Sequence, residues 1–103
     1  MRVIAKATLR AFWAAFPDAE QPLKAWHDEV INARWQNPSD VMAIYRSASI
    51  LKNGRVVFNI AGNKFRLVVA VYYPGQLVLI KFIGTHAQYD QIDANYINQG
   101  GNK

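Results

Sequence analysis

Cysteine is absent from the 103 residues of this chain. That removes disulfide frameworks and thiolate metal sites, and it fits a reducing compartment. Histidine is almost as scarce: His27 and His86 are the only two, so no histidine metal cluster is expected. Neither GxxxxGK nor GxGxxG occurs, which sets aside those phosphate-binding loops. No apolar run reaches the roughly 20 residues of a membrane helix. The opening MRVIAKATLRAF lacks the apolar stretch of a signal peptide. The expectation is a soluble cytoplasmic protein that needs no metal or cofactor and makes no membrane contact.

The most informative shortage is of acid. Asp18, Glu20, Asp28, Glu29 and Asp40 fall in the first forty positions, and no Asp or Glu occurs from Val41 to Tyr89. Arg46, Lys52, Arg55, Lys64, Arg66 and Lys81 all lie in that acid-free stretch, and the chain carries a net charge of +5. A folded region with cations and no carboxylate suits a polyanion, most commonly nucleic acid. Carboxylate-pair hydrolysis and two-metal nuclease chemistry need clustered acids that this half does not have.

What is present organises into one α+β domain over residues 1–97, with a disordered tail at 98–103. RVI is a short strand. KATLRAFWAAF places Leu9, Phe12, Trp13 and Phe16 at helical spacing, and Pro17 stops it. Asp18 is a candidate cap for a second helix running through AEQPLKAWHDEVINARW, with Leu23, Trp26, Val30 and Ala33 on one face. A short capped helix starting at Ser39 is possible in NPSDVMAIY. From Ser47 the period becomes alternating, with breaks at Asn53-Gly54, Gly62-Asn63 and Pro74-Gly75. These predict three or four strands of an antiparallel meander with the helices on one face. Asn63 reads as a turn residue chosen for its tolerance of positive φ.

Two-residue turns fix a register. Gly62-Asn63 sets Asn59 opposite Arg66 and Val57 opposite Val68; Pro74-Gly75 sets Val68 opposite Lys81 and Arg66 opposite Ile83. One face then holds Val56, Phe58, Ile60, Phe65, Leu67, Val69, Val71, Val78, Ile80 and Phe82, the predicted core. The other holds Arg55, Asn59, Lys64, Arg66 and Lys81 among Val57, Val68 and Leu79, and it is expected to be exposed, concave and basic. Arg66 and Lys81 would be diagonal neighbours able to hold one small anion.

The chemistry such a face suits is metal-independent cleavage of RNA. The substrate's own 2′-hydroxyl attacks the adjacent phosphate, so the protein must hold the backbone, stabilise extra negative charge and move two protons. Arg66 and Lys81 fit the charge stabilisation. His86 and Tyr89, in GTHAQYD just past the last strand, are the candidates for proton transfer or base stacking. Each has an ordinary alternative: surface cations, a turn histidine, a partly buried tyrosine. His27, beside Asp28 and Glu29, reads as plain surface, and Trp13, Trp26 and Trp35 as helix–sheet packing.

Together the segments DAEQPLKAWHDEV, NPSDV, SASI, RVVFNIAGNKFRLV and FIGTHAQYDQID resemble the HigB family of toxins, in the RelE-like superfamily of bacterial toxin–antitoxin systems. The resemblance covers residues 1 to 93 and rests on NxxGNKxRLV followed by FxGTHxxYD. It implies a RelE-like α+β fold and an endoribonuclease that cleaves mRNA on the translating ribosome. It also implies a HigA-type helix-turn-helix antitoxin as partner, with operator DNA bound only through that antitoxin. By position it makes Arg66 the ligand of the scissile phosphate, Lys81 a similar contact, and His86 and Tyr89 the acid–base candidates. Arg55, Asn59 and Lys64 become RNA contacts. A non-catalytic RNA- or ribosome-binding module that blocks translation is the competing reading.

Overall fold

Leu9 and Phe12 of α1 (Lys6–Ala15), with Phe16 at its C-cap, pack into the core against the sheet. Phe12 and Phe16 meet the strand residue Phe65 edge-on, at centroid distances of 5.3 and 6.1 Å. In the computed structural model, which describes residues 1–99, α1 follows a short strand β1 (Arg2–Ile4). Pro17 ends it as expected, but the chain then makes a 3-10 turn (Pro17–Ala19) before α2 (Glu20–Ile31). Asp18 therefore does not cap α2, whose N-terminal flank is Ala19 without a side-chain bond. α2 also stops short of Trp35. Asn32 Nδ2 donates to the Asp28 carbonyl at 2.8 Å and helps close its last turn. The next helix, α3 (Pro38–Ile44), begins before Ser39: Asn37 is its cap, accepting from the Asp40 amide at 3.1 Å, and Pro38 sits where no N–H is needed.

The alternating half forms β2 (Ser49–Ile50), β3 (Arg55–Ile60), β4 (Phe65–Tyr72) and β5 (Leu77–Thr85). Their order is β1-β5-β4-β3-β2; β2 to β5 are antiparallel, and β1 lies parallel to β5 at the edge. The first hairpin has the expected register, with Asn59 opposite Arg66 and Val57 opposite Val68. Its positive backbone angles fall at Ala61 (55°) and Gly62 (68°) rather than at Asn63.

The second hairpin follows the expected pairing only as far as Val69↔Ile80. A bulge then shifts it by one residue: Val68 pairs with Phe82 and Arg66 with Gly84, leaving Lys81 as the extra residue of β5. Because side chains alternate with period two, the slip exchanges the two faces beyond Lys81. Ile83, not Phe82, joins the core beneath the helices. Phe82 instead packs on the other face with Val57, Val68 and Ala94.

The helix-side core is centred on Phe58, which is fully buried. Trp26 and Tyr45 approach its ring edge-on at 5.5 and 4.9 Å, and Trp35 stacks on it at 6.3 Å. Trp26 and Trp35 are thus packing residues, as expected, and Trp13 is partly buried beside them. His27 is not plain surface: its side chain is only 14% exposed.

The opposite face is not left open. After β5 the chain turns through α4 (His86–Tyr89) and runs back across the sheet, covering Val57, Val68 and Phe82 with Ala94, Tyr89, Ile92 and Ile97. Arg55 fastens this return. Its Nη1 donates to the carbonyls of Ala94 and Ile97 at 2.9 and 2.8 Å. Asn98 and Gln99, expected in the loose tail, are held on β5: Gln99 N donates to Lys81 O at 2.7 Å, and Ile83 N to Gln99 Oε1 at 2.9 Å. Residues 100–103 of that expected tail lie outside the described part.

Two stability predictions follow from this packing. Arg55→Ala removes charge-assisted bonds to two carbonyls, at a cost of about 1.5–3 kcal/mol. Urea unfolding should show that loss, and amide exchange should quicken first in residues 90–99. The second concerns His27, whose pKa is held below its ordinary value by burial and by Lys6 and Arg10 on α1, against the opposing pull of Asp28. The unfolded chain therefore takes up this proton more readily than the folded one. His27 costs nothing above about pH 6.5 and destabilises the fold as pH falls below it. Thermal unfolding from pH 7.5 down to 5 should show a smaller drop in Tm for His27→Gln than for the unaltered chain.

Candidate active site

Arg66 lies in the middle strand β4, between Asn59 of β3 and Gly84 of β5. Gly84 is fixed by space. A Cβ there would come within 2.5 Å of the Phe82 ring and 2.9 Å of Gln88 Oε1. One residue on, Thr85 ends β5 and starts α4 with a reciprocal cap: its Oγ1 accepts from Gln88 N at 3.1 Å, while Gln88 Oε1 accepts from Thr85 N at 2.8 Å. The His86 amide also donates to the Lys64 carbonyl at 3.1 Å, stitching the turn after β5 to the turn before β4.

These contacts bring the end of β5 and α4 beside Arg66. The guanidinium carbon of Arg66 stands 6.0 Å from the centre of the Tyr89 ring, within the range of a cation–π contact. Arg66 Nη1 donates to the carbonyls of Asn63 and Phe65 at 3.2 and 3.4 Å, which steadies the side chain from behind. Tyr89 is half-buried and leans on Phe82, with ring centres 6.4 Å apart. His86 is exposed on the same turn, with Nδ1 3.3 Å from Asp90 Oδ2.

Arg66 and Tyr89 are therefore in contact, and the His86–Asp90 pair lies on the same short helical turn as Tyr89. Asp90 closes the motif GTHAQYD, and the sequence pattern alone assigns it no role. A carboxylate four residues after a histidine at a helical turn was the available sign. Asn59 lies across from Arg66, its Nδ2 donating to the Ser47 carbonyl over a long 3.4 Å. Lys64 is near the group through its backbone, and its Nζ pairs with Asp18 at 3.0 Å. Both partners are well exposed, so this pair is weak and open to exchange.

Lys81 and Arg55 are placed differently from the expectation. The bulge moves Lys81 one residue further from Arg66, so the two are no longer diagonal partners, and Lys81 Nζ reaches Asn98 Oδ1 at 3.4 Å. Arg55 spends its Nη1 on the C-terminal return. The basic face is accordingly narrower than the alternating pattern suggested, because residues 89–99 occupy its centre. Among the described residues, no three His, Asp or Glu side chains converge as a metal site would require.

The arrangement supplies a planar cation for a phosphate with a phenol beside it, and an exposed imidazole within 3.3 Å of a carboxylate on the same turn. The chain is similar to known proteins over most of its length. The profile of the HigB toxin family, the RelE-like toxic component of a toxin–antitoxin system, matches residues 19–92. The mRNA interferase toxin HigB of Escherichia coli (strain K12) is 26% identical over 102 residues, 97% of this chain and 98% of that protein. The mRNA interferases HigB of Escherichia coli O157:H7 and Shigella flexneri match to the same extent. With that profile spanning well over half its length and the α+β layout in place, the chain belongs to the HigB family of RelE-like toxins.

Proposed function

We propose that this toxin is an endoribonuclease that cuts mRNA on the translating ribosome by activating the substrate's own 2′-hydroxyl. The observation that carries the reading is the grouping of Arg66, Tyr89 and the His86–Asp90 pair at the β4–β5–α4 junction, in a family whose relatives are named mRNA interferases.

In this mechanism Arg66 offers paired donors to the non-bridging oxygens of the scissile phosphate, and these bonds strengthen as the phosphorane gains charge. With Nδ1 of His86 turned to Asp90, its Nε2 is the nitrogen left for substrate. It accepts the 2′-hydroxyl proton as the oxygen attacks phosphorus. The P–O5′ bond breaks, and the departing 5′-oxygen takes a proton from Tyr89 or from water. The products are a 2′,3′-cyclic phosphate and a 5′-hydroxyl. Asp90 acts through His86 and is a positioning residue. Lys64 and Asn59 flank Arg66 as backbone contacts, and Lys81 with its Asn98 partner marks the outer limit of the same surface. A HigA-type antitoxin with a helix-turn-helix domain is the neutralising partner, and operator DNA is reached only through it.

The test is 5′-end mapping of cellular mRNA after brief induction. The unaltered chain should give cuts at a fixed position within codons, confined to translated regions. Arg66→Ala and His86→Ala should lower the yield of ends by about a hundredfold or more while the proteins stay folded. Growth arrest with intact transcripts in every case would instead favour a binder that blocks translation without cutting.

A further inference from the structure

At the other end of β3, away from Arg66, a cleft of about 340 Å³ opens between the turn after β2 and the C-terminal return. It is lined by Ile50, Leu51, Lys52, Asn53, Asn95 and Tyr96. Tyr96 is 76% exposed, more than any other large hydrophobic side chain among the described residues, and Ile50 is 40% exposed. An aromatic ring this open usually belongs to a loose segment. Here the backbone carrying it is pinned. Tyr96 N donates to Asp93 O at 3.0 Å and Ile97 N to the same carbonyl at 2.9 Å. The Arg55 bonds to Ala94 O and Ile97 O bracket the residue from both sides. The facing turn is fixed as well. Leu51 N donates to Arg55 O at 2.8 Å, and Asn53 and Gly54 adopt positive φ, at 60° and 75°. Asp93, on the same return, accepts from Asn95 N at 2.9 Å and from Asn95 Nδ2 at 3.2 Å, which blunts its charge.

We propose that this cleft is a second nucleotide subsite, in which Tyr96 stacks on a base of single-stranded RNA and Lys52 meets its phosphate. The chemistry is that of a base pocket: a rigid aromatic face, an apolar side chain beside it, two amides for a base edge and a cation at the rim. The proposal rests on the RNA-cleaving function argued above and deepens it by adding a contact outside the reacting group. The placement fits that role. Ile50 pairs with Val56, and Asn59 with Arg66, so the two sites are offset by about three residues along the strands and two strand spacings across them, about 14 Å in all. A stacked strand advances about 3.4 Å per nucleotide, so the bound base lies about four nucleotides from the scissile phosphate. Selectivity in this toxin is then set partly by a base remote from the cut.

Fluorescence anisotropy with a labelled, fully 2′-O-methylated RNA nonamer tests this, because such RNA binds without offering a 2′-hydroxyl for attack. Tyr96→Ala should weaken binding by at least about fivefold, the lower end of a lost base stack. Tyr96→Phe should retain it. Lys52→Ala should weaken binding and reduce the salt dependence by about one phosphate contact. Matching thermal melts would show that these exposed substitutions leave the fold alone. If Tyr96→Ala and Lys52→Ala bind like the unaltered chain while Arg66→Ala does not, the second subsite is refuted and the nuclease reading stands. Failure of the unaltered chain to bind the nonamer would refute the subsite, and the nuclease reading would still stand or fall on the mapped 5′ ends. Full RNA affinity in Tyr96→Ala, with lost neutralisation by a co-expressed antitoxin, would assign the cleft to a protein partner.

Discussion

One extra residue in β5 governs the layout of this toxin. Without the bulge at Lys81, Phe82 would point beneath the helices and Ile83 toward the other side, since strand side chains alternate strictly. With it, Ile83 completes the core under α1, and Phe82 is set among Val57 and Val68 on the opposite face. That placement creates a small second apolar patch, and an apolar patch on a sheet needs a cover. The C-terminal return provides one by laying Ala94, Ile92 and Ile97 across it. The position of Tyr89, and with it the whole reacting group, follows from the same residue. Tyr89 leans on Phe82, which is available there only because the register slipped.

The site is accordingly built on a junction between two cores. β4 carries Arg66 out of the helix-side core, and Phe82 and Tyr89 belong to the smaller one. Thr85 and Gln88 close the corner with a reciprocal cap, so α4 is short and still defined. Rigid support of this kind is what the proposed mechanism would need, because donors fixed in advance require no reorganisation as a phosphorane forms.

Much of this was legible in the chain. The acid-free stretch from Val41 to Tyr89, the two-residue turns and the alternating pattern lead directly to the sheet, to Asn59 opposite Arg66, and to His86 and Tyr89 on one helical turn. The bulge was not legible, because Lys81-Phe82-Ile83 fits either register: the pattern places Phe82 in the core as readily as Ile83. Every misplacement downstream of it, including the Arg66–Lys81 pairing and the open basic face, has that single source. Asp18 misled for a different reason. A helix cap and a surface ion pair ask for the same residue type, and only the 3-10 turn at Pro17 separates them. Arg55 could not be told from an RNA-binding arginine, since its partners are main-chain carbonyls some forty residues away, and carbonyls leave no mark on a sequence.

Charge is partitioned along with structure. The acids of the first forty residues sit on the helical layer or at its edge, and the cations of the second half sit on or around the sheet. Asp18 is the exception that reaches across, to Lys64 beside the reacting group. An exposed pair of this kind contributes little to stability, and salt screens it. It does lower the local positive charge while the site is empty. A polyanion arriving at Arg66 can take Lys64 over from Asp18 at small cost, because a phosphate offers the ammonium the same contact with more charge. The orienting field comes from the sheet alone: Arg2, Lys6, Arg10, Lys24 and Arg34 balance the five acids of the first forty residues, while the acid-free stretch from Val41 to Tyr89 carries the net positive charge that draws a polyanion toward the sheet.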